Sequence, residues 1–204
     1  MAIVVAWAGS VESYQAAGRE IRPAEPPRCP RCRGTTIFWS GYERSVRLGF
    51  DPAAGGVSRH VRIWVPRVHC PGCGATPGLL PAFCLARRLD EVEVIGLALV
   101  WVVAGRPVAM VAVLLAIARS TVRGWVACFA YHAPGIAYRF AGLAIEWGSE
   151  VFDLGSPPAR AALEAIGRAY GAVRGRLAGN VVTLWRFVSA VSGGAVLATN
   201  RSPP

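Results

Sequence analysis

Three features of the sequence predict an α+β chain: two Cys-x-x-Cys pairs, a β-rich stretch between them, and helix-period apolar sequence over most of the remainder. Cys29 and Cys32 precede the 37 residues 33–69, and Cys70 and Cys73 follow them. The predicted architecture is a small N-terminal β module, a three-helix unit and a helical C-terminal region. With 53% hydrophobic and 17% charged residues in 204, the chain belongs among folded rather than disordered sequences.

The elements follow in order. Residues 1–27 form an N-terminal segment and linker. Their apolar start, MAIVVAWAGSVESY, is read as a short strand or helix packed on the body. Its apolar run of about eight residues has no basic lead, so a secretory signal is not expected. The stretch Arg22-Pro23-Ala24-Glu25-Pro26-Pro27 reads as an extended linker. Residues 28–82 form the β module. Thr35–Trp39, Tyr42–Phe50 and Val57–Val68 are expected as strands of a hairpin, with a turn at 51–56 and a loop at Pro77–Pro81.

Residues 83–131 form the three-helix unit. Asp90 is expected to cap the first helix, with Glu91 and Glu93 in its first turn. That helix should stop at Gly105-Arg106-Pro107. A second should run from about Val108 to Leu115. A third should run from about Ser120 to Tyr131, where His132-Ala133-Pro134-Gly135 ends it. Residues 132–204 are expected as helices near Ile136–Trp147, Pro158–Val173 and Val181–Val191, with a frayed tail from Gly193. The apolar stretch Val94–Ala118 contains uninterrupted runs of only about 11–13 residues, short of the ~18–20 a membrane span needs. Buried core helices are expected there instead.

Four cysteines in two Cys-x-x-Cys turns aim four thiolates at one ion. Such a set is typical of structural zinc, because no position is left for a catalytic water. Cys29, Cys32, Cys70 and Cys73 are therefore the expected ligands of a structural zinc ion, at the centre of a zinc ribbon. Gly34 and Gly74 are expected to relieve crowding just past each turn. His69 is the alternative ligand beside Cys70. Cys84 and Cys128 are expected as buried free thiols. Metal-binding thiols point to a reducing, cytoplasmic compartment.

All 22 basic residues are arginine, and the net charge is +10, which fits a polyanionic partner. Residues 19–123 hold 15 arginines against 7 acids, so the charge sits with the cysteine pairs and the segment after them. That segment, residues 108–129, reads VAMVAVLLAIARSTVRGWVACF. Ala112, Ala116, Val122 and Trp125 occupy the small and apolar positions a helix-turn-helix needs. Arg119, Ser120, Thr121 and Arg123 would then open a recognition helix. Ser120 or Thr121 would cap it and touch phosphate; the arginines would reach phosphate or guanine. Arg59 and Arg62, on the basic strand, are expected to add to the same basic face. The helix VAMVAVLL has no polar side, so it is expected to be covered on nearly all sides.

The order CPRC, HCPGCG, LLPAF, EVIGLAL, RSTVRGW resembles the N-terminal DNA-binding region of zinc-ribbon insertion-sequence transposases. It is similar, more closely, to a short actinobacterial family of uncharacterised zinc-ribbon/helix-turn-helix proteins. The resemblance covers roughly residues 28–130. It implies binding of double-stranded DNA, with the four cysteines holding the metal and Arg119–Arg123 making the contact.

Transposases of this kind cut DNA with three acids on a five-stranded sheet. After the helix-turn-helix this chain offers only Glu146, Glu150, Asp153 and Glu164, near expected helices. The expectation is thus a DNA-binding regulator, or an accessory or remnant of a mobile element, and not an enzyme. The alternative is a protein–protein scaffold with structural zinc, whose apolar helices pair in a homodimer. Membrane insertion is not expected.

Overall fold

The computed structural model describes residues 2–7, 9–49, 59–150, 153, 157–175 and 182–197. It is a mixed α+β fold. The elements are β1 (Ala2–Val5), α1 (Val11–Ala17), β2 (Ile37–Arg47), β3 (His60–His69), β4 (Gly78–Pro81), α2 (Val92–Val103), α3 (Val108–Leu114), α4 (Arg119–Glu146), α5 (Pro158–Arg174) and α6 (Leu184–Val191). No helix is long and apolar enough to cross a membrane, among the described residues.

The strands form one sheet in the order β1-β4-β3-β2. β2 and β3 make a long antiparallel pair, from Ile37 opposite His69 to Arg47 opposite His60. The expected strands Thr35–Trp39 and Tyr42–Phe50 are therefore one strand, interrupted by a bulge at Trp39. The expected loop Pro77–Pro81 is instead mostly strand β4. It becomes one because β1 pairs with it in parallel, Ala2 opposite Gly78 through Val5 opposite Pro81. The expected turn at 51–56 lies outside the described residues.

Two cores hold the fold. Val46, Val61, Ile63 and Val65 on one face of the sheet pack with Tyr14, Ile21, Leu80 and Phe83. The Tyr14 hydroxyl donates to the Trp64 carbonyl at 3.1 Å, pinning α1 to β3. The second, larger core lies among the helices around Leu99, Val122, Trp125, Phe129, Ile136, Phe140 and Ile166. Hydrogen bonds stitch the cores together: Ser189 Oγ donates to the Cys84 carbonyl (2.8 Å), and Ala86 N–H to Gly194 (2.9 Å).

α4 differs most from expectation. The helix does not stop at residues 132–135 but runs on to Glu146, 28 residues in all, with Pro134 inside it. Pro134 and Ala130, whose carbonyl the missing N–H would have met, are both exposed, so water solvates the gap. Meanwhile Phe129, Ala133, Ile136, Ala137 and Phe140 are all buried in the helical core. Burial on both sides of the proline outweighs the lost backbone bond.

Three smaller expectations also change. Glu91, not Asp90, precedes α2, and it makes no side-chain cap; Asp90 is buried and lies 2.7 Å from Arg47 Nε. The tail is not frayed from Gly193: Val196 and Leu197 are buried, and the Leu197 carbonyl accepts from Arg88 at 2.7 Å. The helix α3 is not covered all round, since Met110, Val113 and Leu114 are exposed.

Candidate functional site

The two Cys-x-x-Cys turns are built alike. In the first, Arg33 N–H donates to the Cys29 carbonyl and Cys29 N–H to Gly34, both at 2.8 Å. In the second, Gly74 N–H donates to Cys70 (2.8 Å) and Cys70 N–H to Ala75 (2.9 Å). Each turn closes through a left-handed residue, Arg33 at φ 62° and Gly74 at φ 70°. The left-handed residue of the first turn is thus Arg33; Gly34 relieves crowding as expected, whereas Gly74, with nothing within 4 Å of its Cβ, serves the left-handed backbone instead. A Cβ on Gly34 would stand 3.3 Å from Cys32 Sγ and 3.8 Å from Cys70 Sγ, so its bareness makes room for the sulfurs.

These turns converge the four thiols. Cys29 Sγ lies 3.6 Å from Cys73 Sγ, Cys32 Sγ lies 3.5 Å from Cys70 Sγ, and all four sulfurs fall within 4.8 Å of one another. An ion with tetrahedral bonds of about 2.3 Å to sulfur separates its ligands by about 3.8 Å. The donor set and spacing therefore fit a bound metal ion.

Crowding spreads the protonation equilibria of the thiols apart. The N–H of Cys32, then that of Arg31 and the hydrogen bonds from Cys73 and Cys70, hold the Cys29 thiol down to about 6. For Cys73, the N–H of Ala75 pulls downward. Desolvation and the neighbouring sulfurs of Cys29, Cys32 and Cys70 outweigh it and push the thiol up to about 12. Four thiolates this close need a cation among them. Among the described residues, this is the one group of His, Cys, Asp and Glu side chains placed to hold a metal.

His69 is not part of that group. It leans against Trp39, ring centroids 5.6 Å apart, beside Cys70. Cys84 and Cys128 are buried free thiols, with burial pushing Cys84 up to about 12.

The left-handed positions carry a prediction. Nothing lies within 4 Å of a Cβ built on Gly74, so Gly74→Ala meets no neighbour and pays only for the backbone. It is expected to lower stability by about 1–2 kcal/mol in urea unfolding, with metal content intact. Gly34→Ala is expected to do the reverse, weakening metal affinity in a chelator competition because its methyl presses on Cys32 Sγ.

The residues expected to meet DNA fall in two places. Arg119, Ser120 and Arg123 are exposed at the start of α4, and Thr121 is half-buried. Neither Ser120 nor Thr121 caps the helix: Ala118 holds the cap position and provides no side-chain bond. The turn before α4 is held by Ala116 at φ 52° and by Ile117 N–H donating to Ala112 (2.9 Å). Ala112, Val122 and Trp125 are buried, and Ala116 is exposed.

Arg59 and Arg62 are exposed elsewhere. Arg59 pairs with Glu12 of α1, and Arg62 lies 3.6 Å from Glu43 on β2. β3 packs on β2, β4 and α1, whereas α4 packs on α2, α3 and α5, so the two basic groups belong to different layers. Sequence reasoning missed the exposed Trp39 and its arginine neighbours. The run Ile37-Phe38-Trp39, apolar without alternation, was the available signal.

Compared with protein-family models, curated proteins and solved structures, the chain matches none.

Proposed function

We propose that this chain is a zinc-stabilised DNA-binding protein, a regulator or an accessory or remnant of a mobile element, that carries out no catalysis itself. In this reading residues 28–82 are a zinc ribbon in which four thiolates bind zinc, the ion that most often occupies tetrahedral four-sulfur structural sites. α3, the turn at 115–118 and the first turns of α4 are its helix-turn-helix. The resemblance to zinc-ribbon transposases supports both assignments.

The observation that carries the reading is the start of α4. It is exposed, no side chain caps it, and Arg119 and Arg123 flank it. Thr121 N–H already bonds the Ala118 carbonyl at 2.9 Å, so the N–H groups of Arg119 and Ser120 are the ones left to an outside acceptor, and a phosphate is the acceptor that also satisfies two guanidiniums. Val122 and Trp125, both buried, fix that helix start against the body.

The test is a salt titration of duplex DNA binding by the metal-loaded protein. Affinity is expected to fall steeply with salt as phosphate contacts release counterions. Arg119→Ala with Arg123→Ala is expected to weaken binding about 10–100-fold and to reduce the salt slope by nearly two. Absence of salt-sensitive binding by the wild-type protein overturns the reading.

One observation favours a second reading, a protein–protein scaffold or homodimer. Met110, Val113 and Leu114 are exposed on α3, Val113 at 79%, beside a shallow hollow lined by Ala109, Ala112, Val113, Ala116, Ile117 and Arg119. Under that reading Arg123→Ala, a change outside the hollow, leaves partner binding intact. A monomer by light scattering counts against the homodimer form.

A further inference from the structure

The outer surface near the metal end of the sheet carries an arrangement that duplex recognition by α4 does not use. A cleft of about 170 Å³ is lined by Arg19, Arg22, Phe38, Trp39, Ser40, Trp64 and Pro66. Three guanidiniums stand against its rings. Arg19 lies over Trp64 (4.8 Å to the centroid), Arg22 over Phe38 (5.6 Å) and Arg67 over Trp39 (5.8 Å). Among the described residues no carboxylate pairs with Arg19, Arg22 or Arg67, and none lines the cleft.

Two features of the backbone build this surface. The bulge in β2 falls at Trp39, between Phe38 and Ser40, and shifts the strand's alternation there. Bulges re-aim side chains next to functional sites. Here the indole is left 62% exposed and open to a ligand, beside the half-buried rings of Phe38 and Trp64. Gly41 is the second feature. A Cβ there would come within 2.3 Å of the Trp64 ring, so the missing side chain lets that indole lie flat on β2 and form the floor.

We propose that this cleft binds an unpaired nucleotide of single-stranded nucleic acid, its base stacked on Trp39 and its phosphates held by Arg19 and Arg22. An aromatic ring stacks on any base, and a flanking guanidinium supplies the phosphate contact; together they make a sequence-tolerant single-strand site. The absence of acids from the lining favours this anionic ligand over a proline-rich peptide, which would need only the rings. The site is separate from the start of α4, so it stands whether or not α4 binds duplex DNA.

Fluorescence anisotropy of a labelled oligo-dT strand with the metal-loaded full chain tests it. Saturable, salt-sensitive binding is expected. Trp39→Ala is expected to weaken it about 10-fold or more, and Trp39→Phe to restore most of the loss. An abasic strand of equal length is expected to bind as weakly to wild type as oligo-dT does to Trp39→Ala. Arg119→Ala with Arg123→Ala is expected to leave oligo-dT binding unchanged, which separates this site from the duplex reading. The exposed position of Trp39 makes an unchanged melting temperature the expected folding control. No binding of oligo-dT, equal binding of the abasic strand, or indifference to Trp39→Ala each overturns the proposal. So does binding of a proline-rich peptide in its place.

Discussion

Cys70→Ser, or removal of the metal by a chelator, is expected to unravel one end of the sheet and leave the helical half standing. The reason is the distribution of apolar contacts along β2 and β3. At the far end Val46, Val61, Ile63 and Val65 are all buried against Tyr14, Leu80 and Phe83. At the cysteine end Ile37 is 54% and Trp39 62% exposed, and most of residues 30–35 are exposed. Without a metal that end keeps the four turn hydrogen bonds, the Thr36 hydroxyl donating to the Pro27 carbonyl (2.6 Å) and Arg67 donating to Thr76 Oγ1 (2.7 Å), but neither apolar core reaches residues 28–40. Binding of zinc to four-ligand peptides is worth about 10–16 kcal/mol. Even a third of that, about 3–5 kcal/mol, is a large share of the stability of an ordinary domain, about 5–15 kcal/mol.

The expected readouts are loss of bound metal and fast amide exchange over residues 28–40 and 67–77. Circular dichroism at the helical wavelength should change little, because the core around Trp125 and Phe140 is built from other elements. Retained protection of Cys29 and Cys70 amides after the metal is removed would show that the two turns hold themselves together, and would sink the argument.

Metal ligation was legible in the sequence because its chemistry is local: each Cys-x-x-Cys turn shapes itself, and only the pairing of the two is long-range. Helix boundaries were legible where a residue forces them. Gly105-Arg106-Pro107 separates α2 from α3, and Pro157-Pro158 opens α5. Prediction failed where a distant partner decides. β4 is a strand because β1 lies beside it. Pro134 stays in a helix because Phe129, Ala133, Ile136 and Phe140 are buried around it. Asp90 leaves the cap because Arg47 claims it. At the site, Arg33 rather than a glycine holds the left-handed position of the first turn, which residue composition does not reveal. The aromatic cleft was legible only in part: the run Ile37-Phe38-Trp39 was visible, but the bulge at Trp39 and the approach of Arg19 and Arg22 depend on distant partners.

Gly96 offers the sharpest reversal of a local rule. Glycine in a helix interior costs about 1 kcal/mol against alanine, so Gly→Ala there ordinarily stabilises. Gly167 on α5 is such a case: it is exposed, nothing lies within 4 Å of a Cβ built on it, and Gly167→Ala is expected to gain up to about 1 kcal/mol. Gly96 is buried in the middle of α2, and its Cβ would stand 2.0–2.2 Å from the Trp185 indole. That ring, only 7% exposed, seats α6 in the helical core. α6 in turn carries Ser189, bonded to the Cys84 carbonyl, and leads to Gly194, bonded to Ala86. A methyl at position 96 must displace the indole and, through α6, strain both joints to the sheet. Overpacking costs about 1–3 kcal/mol, and loss of a buried tryptophan about 3–5. Against a gain of about 1, Gly96→Ala is expected to destabilise by about 2–4 kcal/mol, lowering the melting temperature by roughly 5–15 °C with metal content unchanged. A double-mutant cycle isolates the cause. Trp185→Leu vacates the space, so Gly96→Ala in that background is expected to cost far less than in wild type. Equal costs in both backgrounds, or a rise in melting temperature for Gly96→Ala alone, would show that the glycine is not there for Trp185.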